Sequence, residues 1–348
     1  MRAAATASDG ETAGAVVVGV VVVVVVLGFS FGAIADTFES APPCEHAPAT
    51  TASAEKITTP VRRNMATFSQ TLRAAVDRPR SVRRYAAGAM ATLLCFHAHP
   101  DDEAIATGGV MAKAVHDGHR VVLVTATRGE CGEVAEGFLR PGEALGDRRA
   151  TELEAAAKIL GASRVEILGY HDSGMIGTPE NDAPGSFWQC DVEEAAHKLA
   201  AILREEAVDV MTMYDENGVY GHPDHIKVWQ VGKRAAEIAG TKKVYEGTVN
   251  RTAWMRRVNA SDPGDAPRTV EFPMGVDEEQ LTTAVDVKDF VDVKRQAMRA
   301  HASQITEESF FLKMPDDQFR DGFGTEWFIL RGAPSGVHEY DLFTGIDA

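Results

Sequence analysis

Cysteine is scarce in this chain: four residues in 348, at positions 44, 95, 131 and 190, none of them in a Cys-x-x-Cys pair. That spacing excludes a zinc ribbon and a thioredoxin-type redox centre, and Cys95, inside an apolar run, reads as an inert core thiol. Glycine-rich nucleotide signatures are missing as well. There is no G-x-G-x-x-G, no P-loop and no G-x-S-x-G nucleophile turn. Basic residues number 35 against 51 acidic ones, a net charge of −16, which disfavours nucleic acid and other polyanions as partners. The arginines at 62–63 and 73–84 precede the main body and read as solvated chain. No internal repeat is present.

What is there is a globular composition, 45% hydrophobic, arranged as alternating strand and helix patterns. Short apolar runs at 91–98, 120–126, 165–170, 208–214 and 243–249 read as buried strands. Helical spacing over 103–115, 149–160, 192–206 and 226–239 separates them. Strands joined by helix-length segments imply right-handed parallel crossovers, hence an α/β fold with a three-layer, mostly parallel sheet flanked by helices. The rest is less regular. Residues 251–267 read as a long excursion of lid type, 281–287 as an edge strand and 288–301 as a helix. Residues 310–332 read as a loop-rich, aromatic segment that packs on the core, within a smaller irregular C-terminal portion.

Two motifs carry the chemistry: His99-Pro100-Asp101-Asp102-Glu103 and Tyr220-Gly221-His222-Pro223-Asp224-His225. Each lies where a strand pattern gives way to a helix pattern, the edge at which open α/β sheets gather their sites. A catalytic zinc takes three ligands from His nitrogen and carboxylate oxygen and leaves one position for water. A further carboxylate then serves as general base to that water. Asp101 and Asp102 are adjacent and diverge, so one can bind metal while the other faces the water. An Asp-Asp-Glu run is by itself a good helix cap; two such motifs, each after an apolar strand, favour a metal site. His97, two residues from His99, falls on the same strand face and can support the site. His116, His119, His171, His197, His301 and His338 read as solvated side chains.

The first motif, from His97, resembles the opening zinc motif of the LmbE-like (PIG-L) zinc-dependent N-acetylglucosaminyl deacetylases, and residues 214–225 resemble their second. The likeness runs on through 127–133, Arg149 with Glu152-Leu153, and 170–175, and covers roughly residues 91–332. It is strongest to the branch that deacetylates N-acetylglucosaminyl-inositol on the way to mycothiol. The resemblance implies a Rossmann-like sheet serving a hydrolase, with His99, Asp102 and His225 as ligands of one Zn2+ per chain, or Fe2+. It implies Asp101 as general base. His222 would be the acid for the leaving amine or hold the oxyanion, with Asp224 as its partner and Tyr220 donating to the oxyanion. By the same resemblance Arg149, Asp172, Glu133 and Met175 line the substrate, a small amino sugar.

The amino terminus divides into a tail (1–12), an uncharged hydrophobic segment (13–35) and a linker (36–90), ahead of a zinc deacetylase domain (91–348). The segment 13–35 is long enough to span a bilayer, and Ala33-Ile34-Ala35 also fits a signal-peptidase site. Translation from Met65 or Met90 would remove it. A cytoplasmic catalytic domain is the expectation, membrane-anchored only if the segment is translated. Two other kinds of function share these motifs: an amidase of mycothiol S-conjugates or a deacetylase of another N-acetylglucosaminide, and a non-enzymatic sugar-binding module. Oligomeric state is not legible in the sequence.

Overall fold

The computed structural model describes residues 90–261 and 274–346; the expectations for the tail, the hydrophobic segment and the linker lie outside the described residues. Its centre is a seven-stranded sheet in the order β3-β2-β1-β4-β5-β7-β6. The strands are β1 (Thr92–His97), β2 (Arg120–Thr125), β3 (Arg164–Ile167), β4 (Val210–Tyr214), β5 (Lys243–Thr248), β6 (Thr283–Asp286) and β7 (Thr325–Leu330). β1 to β5 pair in parallel, and β7 runs antiparallel between β5 and β6.

Alternation along β1 explains the layers. Leu93 and Cys95 point to one face, Leu94 and Phe96 to the other, and all four are fully buried. On the first face they join Val121, Leu123 and Val210 of the sheet and the apolar sides of three helices: α1 (Gly108–His116), α2 (Leu145–Leu160) and α6 (Val291–Ala300). On the second, Val122, Val124, Met211 and Met213 pack on α3 (Val192–Glu205) and α4 (Pro223–Ala239). Covering both faces is what permits near-continuous apolar strands. Gly232 of α4 lets that helix lie close: a Cβ there would fall 2.8 Å from Met213 Sδ. No helix among the described residues is long and apolar enough to cross a membrane.

The C-terminal third is more ordered than its composition suggests. Residues read as an excursion contain α5 (Arg251–Ser261), and the segment read as loop-rich forms α7 (Asp316–Phe323) and β7. Phe319 and Phe328 are buried as core, and β6 is the edge strand expected. This portion therefore extends the same sheet.

One buried ion pair ties it to the first half. Glu326 of β7 accepts from the backbone N–H of Gly109 and Val110, each at 2.8 Å, and so caps the start of α1. Its Oε1 also accepts from Lys294 Nζ of α6 at 2.6 Å, with both side chains only 2–3% exposed. Removing one member strands the other charge away from water. Glu326→Ala should lower the unfolding free energy by about 3–5 kcal/mol in urea titrations; a loss below ~1 kcal/mol would contradict this account.

Candidate active site

β1 and β4 are neighbours at the sheet centre, and the helices that follow them lie on opposite faces. Their C-terminal ends therefore open a crevice, and both motifs sit in the loops that leave it. The first loop is bent at Asp101, whose φ of 106° is a conformation that L residues rarely adopt. Glu103 Oε2 accepts the Asp101 N–H at 3.0 Å, and the Asp101 carbonyl accepts from Ala104 and Ile105 at 3.1 and 3.2 Å. A single π-turn, Glu103–Thr107, then leads into α1. Such turns concentrate at functional sites.

The second loop is gathered by Asp215, 1% exposed. Its Oδ1 accepts from Asn217 and Val219 N–H at 3.0 and 2.9 Å, and its Oδ2 from the Thr248 hydroxyl. Val219 is thereby held at φ 66°, ψ −51°, a strained geometry for a β-branched residue costing about 1–3 kcal/mol. The bend brings Tyr220 to 4.9 Å from the His225 ring, centroid to centroid. Pro223 then opens α4 in the first turn, and the His222 ring caps that helix by accepting Asp224 N–H at Nδ1, 3.1 Å.

Three side chains converge between the loops. His99 Nδ1 lies 3.4 Å from Asp102 Oδ2, and His225 Nε2 lies 3.4 Å from Asp102 Oδ1. These atoms form one candidate metal group; His99, His222 and Asp224 form a second that overlaps it. The other nitrogen of His99, Nε2, faces carboxylates instead: Asp224 Oδ2 at 3.2 Å and Asp172 Oδ1 at 3.5 Å. A carboxylate behind an imidazole orients the ring and makes its opposite nitrogen a better ligand. Both ring nitrogens of His225, itself 2% exposed, lack a hydrogen-bond partner among the described residues. A cation at Nε2 satisfies one of them, so the residues present fit a divalent metal.

Support extends from the strands. Tyr214, the last residue of β4, stacks on His225 at 4.1 Å and 8°. Its hydroxyl accepts from Ala98 N–H at 3.2 Å, lies 3.1 Å from His97 Nδ1 and is hydrogen-bonded to the Asp102 carboxylate. His97 Nε2 lies 2.8 Å from Thr107 Oγ1, so both ring nitrogens are hydrogen-bonded. Burial holds His97 neutral, its pKa lowered to about 4 despite Asp102 and Glu103 nearby.

The charges are unevenly shared. Burial opposes a proton on His99, yet Asp172, Asp102 and Asp224 outweigh it and lift its pKa well above the usual value. His222 is held well below its usual value by burial and by His99 and His225. Asp101 is pushed up to about 6 by burial, with Arg149 opposing. Burial, then Asp102, raises the Tyr220 phenol, which keeps its proton.

Comparison with known proteins now bears on the site. A family model described as PIG-L, GlcNAc-PI de-N-acetylase, matches residues 94–236, a span that contains both motifs. A 1D-myo-inositol 2-acetamido-2-deoxy-alpha-D-glucopyranoside deacetylase of Acidothermus cellulolyticus is 41% identical, the match covering 74% of this chain and 95% of that protein. The chain belongs to the PIG-L family. A protein of the same description from Streptomyces griseus is 38% identical over 73% of this chain and 88% of its own length. Among solved structures, an N,N'-diacetylchitobiose deacetylase of Pyrococcus horikoshii is 21% identical, with a TM-score of 0.47 over 80% of this chain and 94% of that one.

Within this PIG-L chain the residues singled out in sequence separate into three groups. His99, Asp101, Asp102, Tyr220, His222, Asp224 and His225 share the crevice. Arg149 and Asp172 are there too, and both have protein partners. Arg149 donates to the carbonyls of Gly129 and Pro100 at 2.7 and 2.5 Å and lies 3.3 Å from Asp101 Oδ2. Gly129 is needed there, since a Cβ would fall 2.3 Å from the guanidinium. Asp172 backs His99 and accepts from Cys131 and Gly174 N–H. The Asp224 carboxylate also departs from expectation: it faces His99 and accepts Ser173 N–H at 3.0 Å, while only its backbone bonds the His222 ring. Glu133 is exposed and Met175 half-buried, and their described contacts are backbone carbonyls accepting from Gln304 and Asn181.

Sequence reasoning missed Tyr214, Asp215 and Glu103 as structural supports. It also read His301 as solvated, whereas it is 0% exposed and 2.6 Å from Glu103 Oε1. His119, read the same way, is buried and stacks on Phe343 at 3.8 Å.

The carboxylates around His99 favour a proton on it, which a metal at Nδ1 would have to displace. Binding of Zn2+ near neutral pH should release about one proton, and affinity should fall about tenfold per unit as pH drops while His99 stays protonated. Calorimetry in buffers of different ionisation enthalpy measures this. Uptake without proton release, or unchanged by Asp102→Ala, would contradict the ligand set.

Proposed function

We propose that this protein hydrolyses the N-acetyl amide of an N-acetylglucosaminide, releasing acetate and the free amine, with N-acetylglucosaminyl-inositol as substrate and mycothiol synthesis as its setting. The observation that carries the reading is the 41% identity along 95% of a relative named for this deacetylation. The assembled group His99, Asp102 and His225 supports it. The ion that fits best is zinc. Zinc takes His nitrogen and carboxylate oxygen as ligands, and His99 Nδ1 and His225 Nε2 each lie 3.4 Å from an oxygen of Asp102, Oδ2 and Oδ1 respectively; Fe2+ also takes such ligands. The net charge of −16 disfavours polyanionic partners, and we place the catalytic domain in the cytoplasm.

When bound, the metal lowers the pKa of water and polarises the amide carbonyl. Asp101, whose pKa of about 6 suits a base at neutral pH, takes the proton from the attacking water. Arg149, 3.3 Å away, keeps that carboxylate aimed. Tyr220, a neutral phenol, donates to the oxygen on which charge develops. His222 has Nδ1 committed to Asp224 N–H and is neutral, so its remaining nitrogen carries a hydrogen and donates. That favours the oxyanion role for His222 over the acid role, and leaves Asp101 to deliver its acquired proton to the departing amine nitrogen.

A panel of N-acetylglucosaminyl-inositol, free N-acetylglucosamine, chitobiose and a mycothiol S-conjugate tests the substrate. Acetate release should be fastest from the first, and dependent on metal. Faster cleavage of the conjugate, or no cleavage of any with metal bound, would overturn the reading. Asp101→Ala should keep the metal yet lose at least about a hundredfold in turnover; unchanged turnover would remove Asp101 from its role.

A further inference from the structure

We propose that Glu103 and His301 form a positioning pair that fixes the backbone of Asp101 and, through it, the place of the base carboxylate. The proposal rests on the reading of Asp101 as base. A non-glycine residue at φ 106° persists only where its surroundings over-determine it, and the restraint here is specific. Glu103 Oε2 accepts the Asp101 N–H at 3.0 Å, and Glu103 Oε1 meets His301 Nε2 at 2.6 Å. Both acid and imidazole are 0% exposed. A carboxylate opening a helix is ordinarily solvated, so its burial here demands a partner. That partner comes from the far end of the domain, just beyond α6.

Among the described residues the His301 ring has no other hydrogen bond, its Nδ1 being without a partner there. Its loop is anchored independently. Ser303 donates through N–H and Oγ to Glu152 at 3.0 and 2.6 Å, and Gln304 Nε2 donates to the Glu133 carbonyl at 3.0 Å. Replacing His301 therefore leaves the loop docked and alters the contact to Glu103. Neither residue hydrogen-bonds His99, Asp102 or His225 among the described contacts. Disturbing the pair should displace the base while leaving metal and substrate binding in place.

The test is steady-state acetate release from N-acetylglucosaminyl-inositol by the zinc-loaded full chain, with bound zinc measured for each variant. Glu103→Leu and His301→Leu should each lose about a hundredfold in kcat, the scale of a roughly 1 Å misplacement, with KM and zinc content retained. His301→Gln, whose amide can donate to Glu103, should recover at least about tenfold of the His301→Leu loss. Near-normal kcat in a folded, zinc-loaded Glu103→Leu would overturn the proposal, as would joint loss of zinc and a raised KM. Should Glu103→Leu not fold, the His301 pair decides, and equal activity of His301→Leu and His301→Gln overturns it. Asp101→Asn separates the two readings. If that variant is active, the base assignment falls and the positioning role with it; if it is inactive beside a normal Glu103→Leu, only the positioning role falls.

Discussion

Four carboxylates, those of Asp101, Asp102, Asp172 and Asp224, are drawn into one buried crevice, and the cost of that crowding governs everything around it. Like charges out of water must be neutralised, protonated or separated. The protein uses all three means. His99 stands between Asp102 on one side and Asp224 with Asp172 on the other, Arg149 lies against Asp101, and Asp101 itself is shifted towards the protonated form. A proton on His99 is favoured by these carboxylates, and a divalent ion would supply positive charge in its place. The unpartnered nitrogens of His225 mark where that ion fits.

The fold delivers these groups through strain in two loops. Asp101 and Val219 both sit at positive φ, each at the point where a loop turns its chemistry inward. Neither conformation is favourable alone. Asp215 holds one from the end of β4, and Glu103 holds the other from the first turn after the motif. The C-terminal third takes part in the same framework: Glu326 caps α1, and the loop after α6 backs both Glu103 and Glu152.

Much of this was legible in the sequence because the signals are local. Apolar runs such as 91–98 and 208–214 are short and flanked by helix patterns, so the parallel core and the position of both motifs could be read directly, the strands themselves spanning Thr92–His97 and Val210–Tyr214. The His, Asp and His of the metal group follow from their motifs for the same reason. What was not legible depends on contacts distant in sequence. His301 looks like any polar-neighbourhood histidine until α6 packs on α2 and carries it to Glu103. The roles of Arg149 and Asp172 were read from resemblance, whereas their described partners are set by the Gly129 turn and by His99. β7 was missed because its half-buried pattern is broken by Glu326, a charge that makes sense only once Lys294 and the start of α1 are beside it.

The central claim is that His99 turns Nδ1 to the metal and Nε2 to the carboxylates. Anomalous diffraction at the zinc edge, from crystals of zinc-loaded protein, tests it most directly. The account predicts one peak at about 2.0–2.2 Å from His99 Nδ1, an Asp102 oxygen and His225 Nε2. A peak bound instead by His99 Nε2, His222 and Asp224 would contradict it.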